Sequence, residues 1–339
     1  MWIKNAWYVA AFENELSREL VARQIIEQKL VFFRTEAGTA VALEDRCPHR
    51  GIPLSKGTLT GDAVRCTYHG IRIASDGSCV HIPCQAHIPS QAKVRAFPVV
   101  ERFGMVWVWM GDEPADVEKI PDFHWMKDEE WAACNGYHLV KANYQFMNDN
   151  LLDLSHEAYV HERTIGNEAV AEAPVTTTST DGEVRVHRDI ENCEPPPFYK
   201  RATGFETNIN RWHTTIFRPP GFHVIENGSY PVTGTKTDAL ERRVMHLVTP
   251  ETPTTSHYFW GVARQYLRED SELTEYIRQQ SSNTFDEDAE ILEIQQQAMH
   301  GNAASSFPVA LKTDAGPIRA RRMIQSIIEA EQRRGTAEV

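Results

Sequence analysis

A chain of 339 residues with a formal charge of −12, 41% hydrophobic and 24% charged residues, has room for two cores and the composition of an ordinary globular protein. The acidic balance argues against nucleic acid as a partner, because phosphate binding needs a basic face. No apolar run approaches the ~20 residues of a membrane helix, and the N-terminal stretch Met1–Ala10 lacks a signal-peptide core, which predicts a cytoplasmic protein without membrane contact.

In chain order, the first part alternates short strands with turns. Strands are predicted over 7–10, 30–34, 40–43, 63–66, 71–74, 94–100 and 105–109, a β-rich domain. Residues 110–116 are polar and broken by Pro114, so the domain boundary is placed there, giving domains 1–115 and 116–339 with a linker through Asp122. Beyond it a helix is predicted over 148–160 and strands over 184–188, 212–217, 222–226, 243–249 and 257–264. Helices follow over 272–300 and 317–334. Strands followed by long helices predict an α+β fold, with helices on one face of the sheet. No glycine-rich phosphate loop or dinucleotide fingerprint is present, so neither ATP nor a directly bound nicotinamide is expected.

Two matched pairs stand out in the first domain. Cys47-Pro48-His49 and Cys66-Thr67-Tyr68-His69 are separated by sixteen residues, and each offers one thiolate and one imidazole. Two thiolates on one iron and two imidazoles on the other are the ligand set of a Rieske [2Fe–2S] cluster, in which neutral histidines raise the reduction potential. Gly51 and Gly70 follow the two histidines, where a tight loop calls for positive φ. Cys79, Cys84, Cys134 and Cys193 have no such matched spacing and read as small hydrophobes or surface thiols. The segment from Cys79 to Cys84 follows a Ser-Asp-Gly-Ser turn and is predicted as a strand.

A one-electron carrier needs an acceptor, and the segment Asn148–His161 offers one. It is apolar enough to be buried, yet carries His156, His161 and several carboxylates. Two histidines and one carboxylate form the facial triad of non-haem Fe(II) oxygenases. Residues five apart diverge by ~140° on a regular helix, so a helix end or π-bulge must separate the two histidines. For the carboxylate, the helix over 284–294 places Asp286, Glu290 and Glu293 away from the arc of Phe285, Ile291, Leu292 and Met299, and Glu287 at its edge. Asp288 falls near the middle of that arc, where a lone carboxylate is costly unless paired or metal-bound, and is the chosen ligand. Asp153 precedes His156 by three residues and reads as a ligand, an orienting group or a bridge.

These motifs resemble the Rieske non-haem iron oxygenases, specifically the group of the vanillate and dicamba O-demethylase oxygenase components. The likeness rests on Asn5-Ala6-Trp7-Tyr8-Val9-Ala10, the two Cys–His segments through Gly51 and Gly70, the segment Asp149–His156, and Tyr159-Val160-His161. Thr249-Pro250-Glu251-Thr252, Tyr258-Phe259-Trp260-Gly261 and Glu287-Asp288 complete it. The resemblance implies an all-β Rieske domain followed by a helix-grip domain with an antiparallel sheet and flanking helices. It implies a homotrimer and mononuclear Fe(II) on His156, His161 and Asp288. It also implies that Asp153 links His69 of a neighbouring protomer to the iron site through His156, with Asn150 in support. Electrons would come from NADH or NADPH through a separate flavin- and ferredoxin-type reductase. With O2, the implied reaction is O-demethylation of a small methoxylated aromatic acid to a phenol and formaldehyde. Ring hydroxylation, N-demethylation or methyl hydroxylation are alternatives on the same scaffold, and a Rieske electron-transfer protein with a binding domain is the alternative without enzymatic activity. His246 and Trp260, on predicted strands, are the candidate substrate residues. Arg211, Arg218 and Arg264 are candidate carboxylate anchors, and the proline-rich 194–198 segment is a candidate entrance loop.

Overall fold

The structure, a computed structural model, describes residues 1–299 and 309–337. Two compact units emerge: Lys4–Pro121, and Met1–Ile3 together with the chain from Asp122 onward.

The first unit is all-β. Its strands are β1 (Trp7–Phe12), β2 (Val21–Ile25), β3 (Gln28–Arg34), β4 (Ala40–Glu44), β5 (Thr58–Thr60), β6 (Ala63–Arg65), β7 (Arg72–Ile73), β8 (Cys79–His81), β9 (Ala96–Phe97), β10 (Val99–Arg102) and β11 (Met105–Trp109). Among the described residues they form sheets ordered β1-β11-β10, β2-β3-β4-β9 and β5-β6-β7-β8. β-Branched and aromatic runs such as Leu30-Val31-Phe32-Phe33 suit a pleated surface, and Val31, Phe33, Leu43, Leu54, Val64 and Ile73 close a core that includes Cys47 and Cys66.

The strand predicted over 94–100 is two strands, because Pro98 has no N–H to extend a ladder. β9 pairs with β4, and β10 pairs with β11. The unpredicted β2 turns into β3 through Ile26 and Glu27, both at positive φ. That conformation normally advertises itself with Asn-Gly or Asp-Gly, so the hairpin carries no readable turn signal. Cys84 lies beyond β8 rather than in it, exposed and at positive φ.

The second unit holds one antiparallel sheet of seven strands among the described residues. They are β12 (Ala132–Val140), β13 (Thr176–Thr180), β14 (Glu183–Cys193), β15 (Ile209–Arg218), β16 (Phe222–Pro231), β17 (Leu240–Thr252) and β18 (Thr255–Arg264), in the order β12-β18-β17-β16-β15-β14-β13. Its helices are α1 (Tyr144–Leu152), α2 (Glu157–Val160), α3 (Glu168–Glu172), α4 (Pro197–Thr203), α5 (Ser271–Ala298) and α6 (Ala315–Ala337). α5 packs against β12 and β18, and α6 against α1 and β14. The sheet with its flanking helices is the expected helix-grip arrangement. No helix among the described residues is long and apolar enough to cross a membrane.

Two departures bear on the site. The single helix predicted over 148–160 is α1 and α2 with a break between them, and Asp153 takes extended backbone at φ −99 and ψ 97. On α5 the buried stripe is Leu273, Ile277, Ser281, Thr284, Asp288, Leu292 and Gln296. Asp288 is on it, but Ile291 and Ile294 are 43% and 53% exposed. The inward face carries polar groups because it faces a site rather than an oily core. His300, the predicted end of this helix, lies outside the described residues.

Two candidate metal centres and a buried cavity

The two Cys–His segments fold as matching loops. Cys47 N donates to Ile52 O at 2.8 Å and Gly51 N to Cys47 O at 2.9 Å. In the second loop Cys66 N donates to Ile71 O at 2.8 Å and Gly70 N to Cys66 O at 3.1 Å. Gly51 and Gly70 sit at φ 71 and 69, a region that suits a residue without Cβ. The thiols are buried in the core, while the imidazoles are exposed with their Nδ1 atoms 3.2 Å apart. Two ring nitrogens this close need a proton or a metal between them. Bonds of about 2.1 Å to one tetrahedral ion would hold two nitrogens roughly 3.4 Å apart. Burial, with the Cys66 thiol alongside, pushes the Cys47 thiol above its ordinary value, and a metal relieves this by binding the thiolate. The donor set therefore fits a two-iron cluster with its histidine edge at the surface. Of the other thiols, Cys134 is pushed up to about 12 by burial, that of a passive core group.

The second constellation forms because the chain breaks at Asp153. His156 opens α2 and His161 closes it, so their rings converge instead of diverging. His156 Nε2 and His161 Nε2 lie 3.2 Å apart, and Asp288 Oδ1 lies 3.3 Å from the first and 3.1 Å from the second. Three donors in so small a triangle match one face of an octahedron, since bonds of about 2.1 Å at right angles span about 3.0 Å. Each donor is held from behind. His156 Nδ1 meets the Asp153 backbone oxygen, His161 Nδ1 lies 2.8 Å from Glu287 Oε2, and Asn150 Nδ2 donates to Asp288 Oδ1 at 2.9 Å. With its proton on Nδ1, each imidazole turns a lone pair from Nε2 toward the centre.

Asp153 thus reaches His156 through its main chain, not through its carboxylate as an unbroken helix would have it. Its Oδ1 accepts from Ser155 N at 2.8 Å and Ser155 Oγ at 2.6 Å. Oδ2 has no hydrogen-bond partner among the described residues. Asp153 borders a surface depression with Asn150, His156, Val160, Ile291 and Ile294.

With no cation bound, the same charges act on protons. Burial would lift the Asp288 carboxyl, but His156 and His161 outweigh it and hold it well below the carboxylate range. Burial opposes charge on His161, yet Asp288 and then Glu287 push the imidazole up to about 9. A protonated His161 therefore stabilises the metal-free fold fully below its unfolded value near 6.5. That contribution, about 3 kcal/mol, is lost as pH rises through about 9. Metal binding must displace the proton, so its affinity rises over the same window. The melting-temperature gap between iron-loaded and chelator-treated protein should widen from pH 6.5 to 9. A gap that stays constant or narrows would exclude this charge balance.

Beside the triangle lies a cavity walled by β15–β18, α4 and α5. Of the two candidate substrate residues, His246 lines it and Trp260 does not. His246 Nδ1 and the Tyr258 hydroxyl are 2.5 Å apart, while its Nε2 is buried without a hydrogen-bond partner among the described residues. Burial pushes its imidazole down to about 3, so it is neutral. Trp260 packs over Gly136, whose Cβ would come 2.2 Å from the indole, and its Nε1 donates to His138 Nδ1 at 3.1 Å. The proline-rich segment leads into α4, with Pro197 in its first turn, and α4 sends Phe198 and Tyr199 into the cavity.

The three arginines singled out are engaged elsewhere. Arg218 pairs with Glu183 on the surface at 2.7 Å. Arg264 donates to Thr274 Oγ1, Leu267 O and Asp270 O. Arg211 donates to Ile165 O and lies 3.9 Å from Glu157. Sequence reasoning missed Glu157, a buried carboxylate on the cavity wall. Burial would raise its pKa, but Arg188, His213 and Arg211 outweigh it and hold it ionised. It also missed Arg242 and Asn227. The alternation Arg242, Val244, His246 on β17 puts all three on one face, and all three line the cavity.

Residues 6–98 match the family profile described as the Rieske [2Fe-2S] domain, and residues 140–330 match that of the vanillate O-demethylase oxygenase C-terminal domain. The chain is 39% identical over 342 residues to a putative toluene-4-sulfonate monooxygenase system iron-sulfur subunit of Comamonas testosteroni, covering 98% of each. It is 37% identical over 343 residues to a vanillate O-demethylase oxygenase subunit of Pseudomonas sp. strain HR199, covering 98% of this chain and 96% of the other. The crystal structure of dicamba monooxygenase bound to 3,6 dichlorosalicylic acid superposes with a TM-score of 0.92 at 32% identity, over 98% of this chain and 99% of that one.

Proposed function

The chain belongs to the Rieske non-haem iron oxygenases, in the group of the vanillate O-demethylase oxygenase components, and we propose that it is the terminal oxygenase that removes the methyl group of a methoxylated aromatic acid. The balance is ArOCH3 + O2 + 2 e− + 2 H+ giving ArOH, CH2O and H2O, the hydroxylated methyl collapsing as a hemiacetal. A separate reductase, fed by NADH or NADPH, supplies the electrons. In this reading residues 1–115 carry the cluster on Cys47, His49, Cys66 and His69, and residues 116–339 carry iron on His156, His161 and Asp288. When bound, the cluster supplies single electrons and the mononuclear iron supplies oxygen activation for a C–H bond.

The protein's own part is positional. Glu287 keeps the proton on His161 Nδ1, the Asp153 carbonyl does the same for His156, and Asn150 fixes which Asp288 oxygen faces the centre. Apolar Ile225, Val244, Val262 and Phe285 exclude water from the cavity, and neutral His246 offers its free Nε2 to orient a substrate oxygen. We further propose a cytoplasmic homotrimer in which the unpaired Asp153 Oδ2 receives His69 of the next protomer.

One observation carries the reading: a small triangle of two imidazoles and a carboxylate beside a largely apolar cavity, in a chain of this family. A pure electron carrier has no use for that triangle. The identity to the toluene-4-sulfonate subunit favours methyl hydroxylation as the second reading. Incubating the holoenzyme, a reductase, NADH and O2 with methoxybenzoates, methylbenzoates and toluenesulfonates separates the two. Formaldehyde with the matching phenol supports demethylation. Hydroxymethyl products without formaldehyde overturn it and leave methyl hydroxylation.

A further inference from the structure

Among the described residues of the second unit, four arginines are buried, Arg188, Arg211, Arg242 and Arg264, none more than 4% exposed. Three have their partners. Arg188 and Arg211 share Glu157, and the two terminal nitrogens of Arg264 donate to a hydroxyl and two backbone carbonyls, although the Nε of Arg188 and of Arg264 has no partner among the described residues. Arg242 differs. Among the described residues its guanidinium makes neither an ion pair nor a hydrogen bond. It stacks on the rings of Phe198 at 4.5 Å and Tyr199 at 4.7 Å, and it lines the cavity. Its cross-strand neighbour on β18 is Arg264, a second cation. Its neighbour on β16 is Asn227, whose Oδ1 is also buried without a partner and which lines the same wall. A cation withdrawn from water beside another cation is costly unless an anion joins it. With its guanidinium carbon over both rings and its donors unpaired among the described residues, Arg242 has the fork that suits a two-oxygen anion.

The cavity has a polarity along its length. The metal triangle lies at one end, because Asp288 follows Thr284 and Phe285, both on the wall, by about one turn of α5. His246 belongs to that end, its ring 5.1 Å from that of Phe285. Arg242 is four residues back along β17, about 13 Å between backbone positions at 3.3 Å per residue. That interval is on the order of one para-substituted aromatic ring with a hydrogen bond at each end.

We infer that Arg242 determines substrate choice by binding a carboxylate or sulfonate carried across the ring from the group that reacts. An anion on the adjacent ring position would sit at the His246 end and leave Arg242 unmatched. This rests on the oxygenase reading and adds to it the charge and the substitution pattern of the substrate.

The test compares 4-methoxybenzoate, 4-methoxybenzenesulfonate, neutral 4-methoxybenzamide and 2-methoxybenzoate, using reductase-coupled holoenzyme of the native chain, Arg242→Gln and Arg242→Lys. Cluster absorbance and iron content verify the fold of each variant. The native enzyme should favour the para anions over both the amide and the ortho isomer, and the better of the two anions identifies carboxylate or sulfonate. In Arg242→Gln the anion-to-amide ratio of kcat/KM should fall about 30-fold, chiefly through KM, with partial recovery in Arg242→Lys. If the glutamine variant does not accumulate, the lysine variant reads the same ratio with the charge retained and only the fork lost. An unchanged ratio in the variants, or a native preference for the ortho isomer, overturns the inference. Calorimetric binding keeps it separable from the demethylase reading. Anions that bind through Arg242 but release no formaldehyde sink only demethylation. An amide demethylated as well as the anions sinks only the role of Arg242.

Discussion

Asp288→Ala should abolish turnover, by at least about 1000-fold, while leaving the cluster absorbance intact. Its Oδ1 closes the triangle with both imidazole Nε2 atoms, and it is 5% exposed. Removing it takes away the carboxylate aimed at the centre and leaves a half-buried and a buried imidazole facing each other at 3.2 Å. Metal analysis should then find cluster iron without mononuclear iron. The cluster residues lie in the other unit, so their spectrum serves as an internal control for folding. The pH behaviour should change with it, because Asp288 is the main support of charge on His161 and burial opposes that charge. A variant that kept mononuclear iron and normal turnover would remove Asp288 from the ligand set. Glu287, now on the far side of His161, would be the carboxylate to test next.

The second large effect is expected from Asp153→Asn, on the order of a 100-fold loss of coupled turnover, with both metal centres retained. The substitution is nearly isosteric. The amide oxygen still accepts from Ser155 N and Oγ, and the backbone carbonyl still meets His156 Nδ1. What changes is the unpaired second oxygen, which becomes an amide donor. The iron site is therefore built normally, and a loss of turnover reports on what that oxygen meets. Co-assembly decides whether it meets another protomer. His69→Ala protein lacks a working cluster and Asp153→Asn protein lacks the link, so each alone should be severely impaired. Mixed assemblies should regain activity if one protomer's cluster serves the next protomer's iron. Mixed assemblies as inactive as either parent would place the transfer within one chain. Full activity of Asp153→Asn alone would remove the bridge altogether.

Legibility followed the range of the interactions. The cluster loops were readable because their ligands are close in sequence and repeat: Cys, then His, then Gly four residues after the Cys, twice, each loop closed by its own backbone hydrogen bonds. Asp288 was readable from helical angle alone, although part of the reasoning did not survive. Ile291, one of the apolar residues used to define the arc, faces outward, while Ser281, Thr284 and Gln296 face in. The aspartate was found because it sits near Leu292 on the helix, not because the whole face is apolar. β12 went unnoticed because Ala-Ala-Cys-Asn-Gly has little strand propensity, and Gly136 is there to admit the Trp260 indole, a contact over 100 residues away in the chain.

Arg242 shows the opposite limit. Its side of β17 was predictable from the period of two, and so was its alignment with His246. Its importance was not, because a guanidinium matters here for the partner it lacks. Arg188, Arg211 and Arg264 are as buried, and only the folded arrangement of Glu157, Thr274 and the local carbonyls separates the partnered cations from the open one. Asp153 is similar. Spacing put it near His156, and the break in the helix decided that the contact runs through the main chain and leaves a carboxylate oxygen without a partner among the described residues.

By itself, then, the sequence determined the two kinds of metal centre and the family, since ligand type and local spacing are properties of neighbouring residues. Tertiary structure alone decided which arginine faces the cavity, which oxygen of Asp153 is spare, and that Trp260 packs behind Phe285 and over Gly136 without lining the cavity. Those outcomes depend on which distant groups satisfy one another's charge and hydrogen bonds, and only the assembled fold determines that.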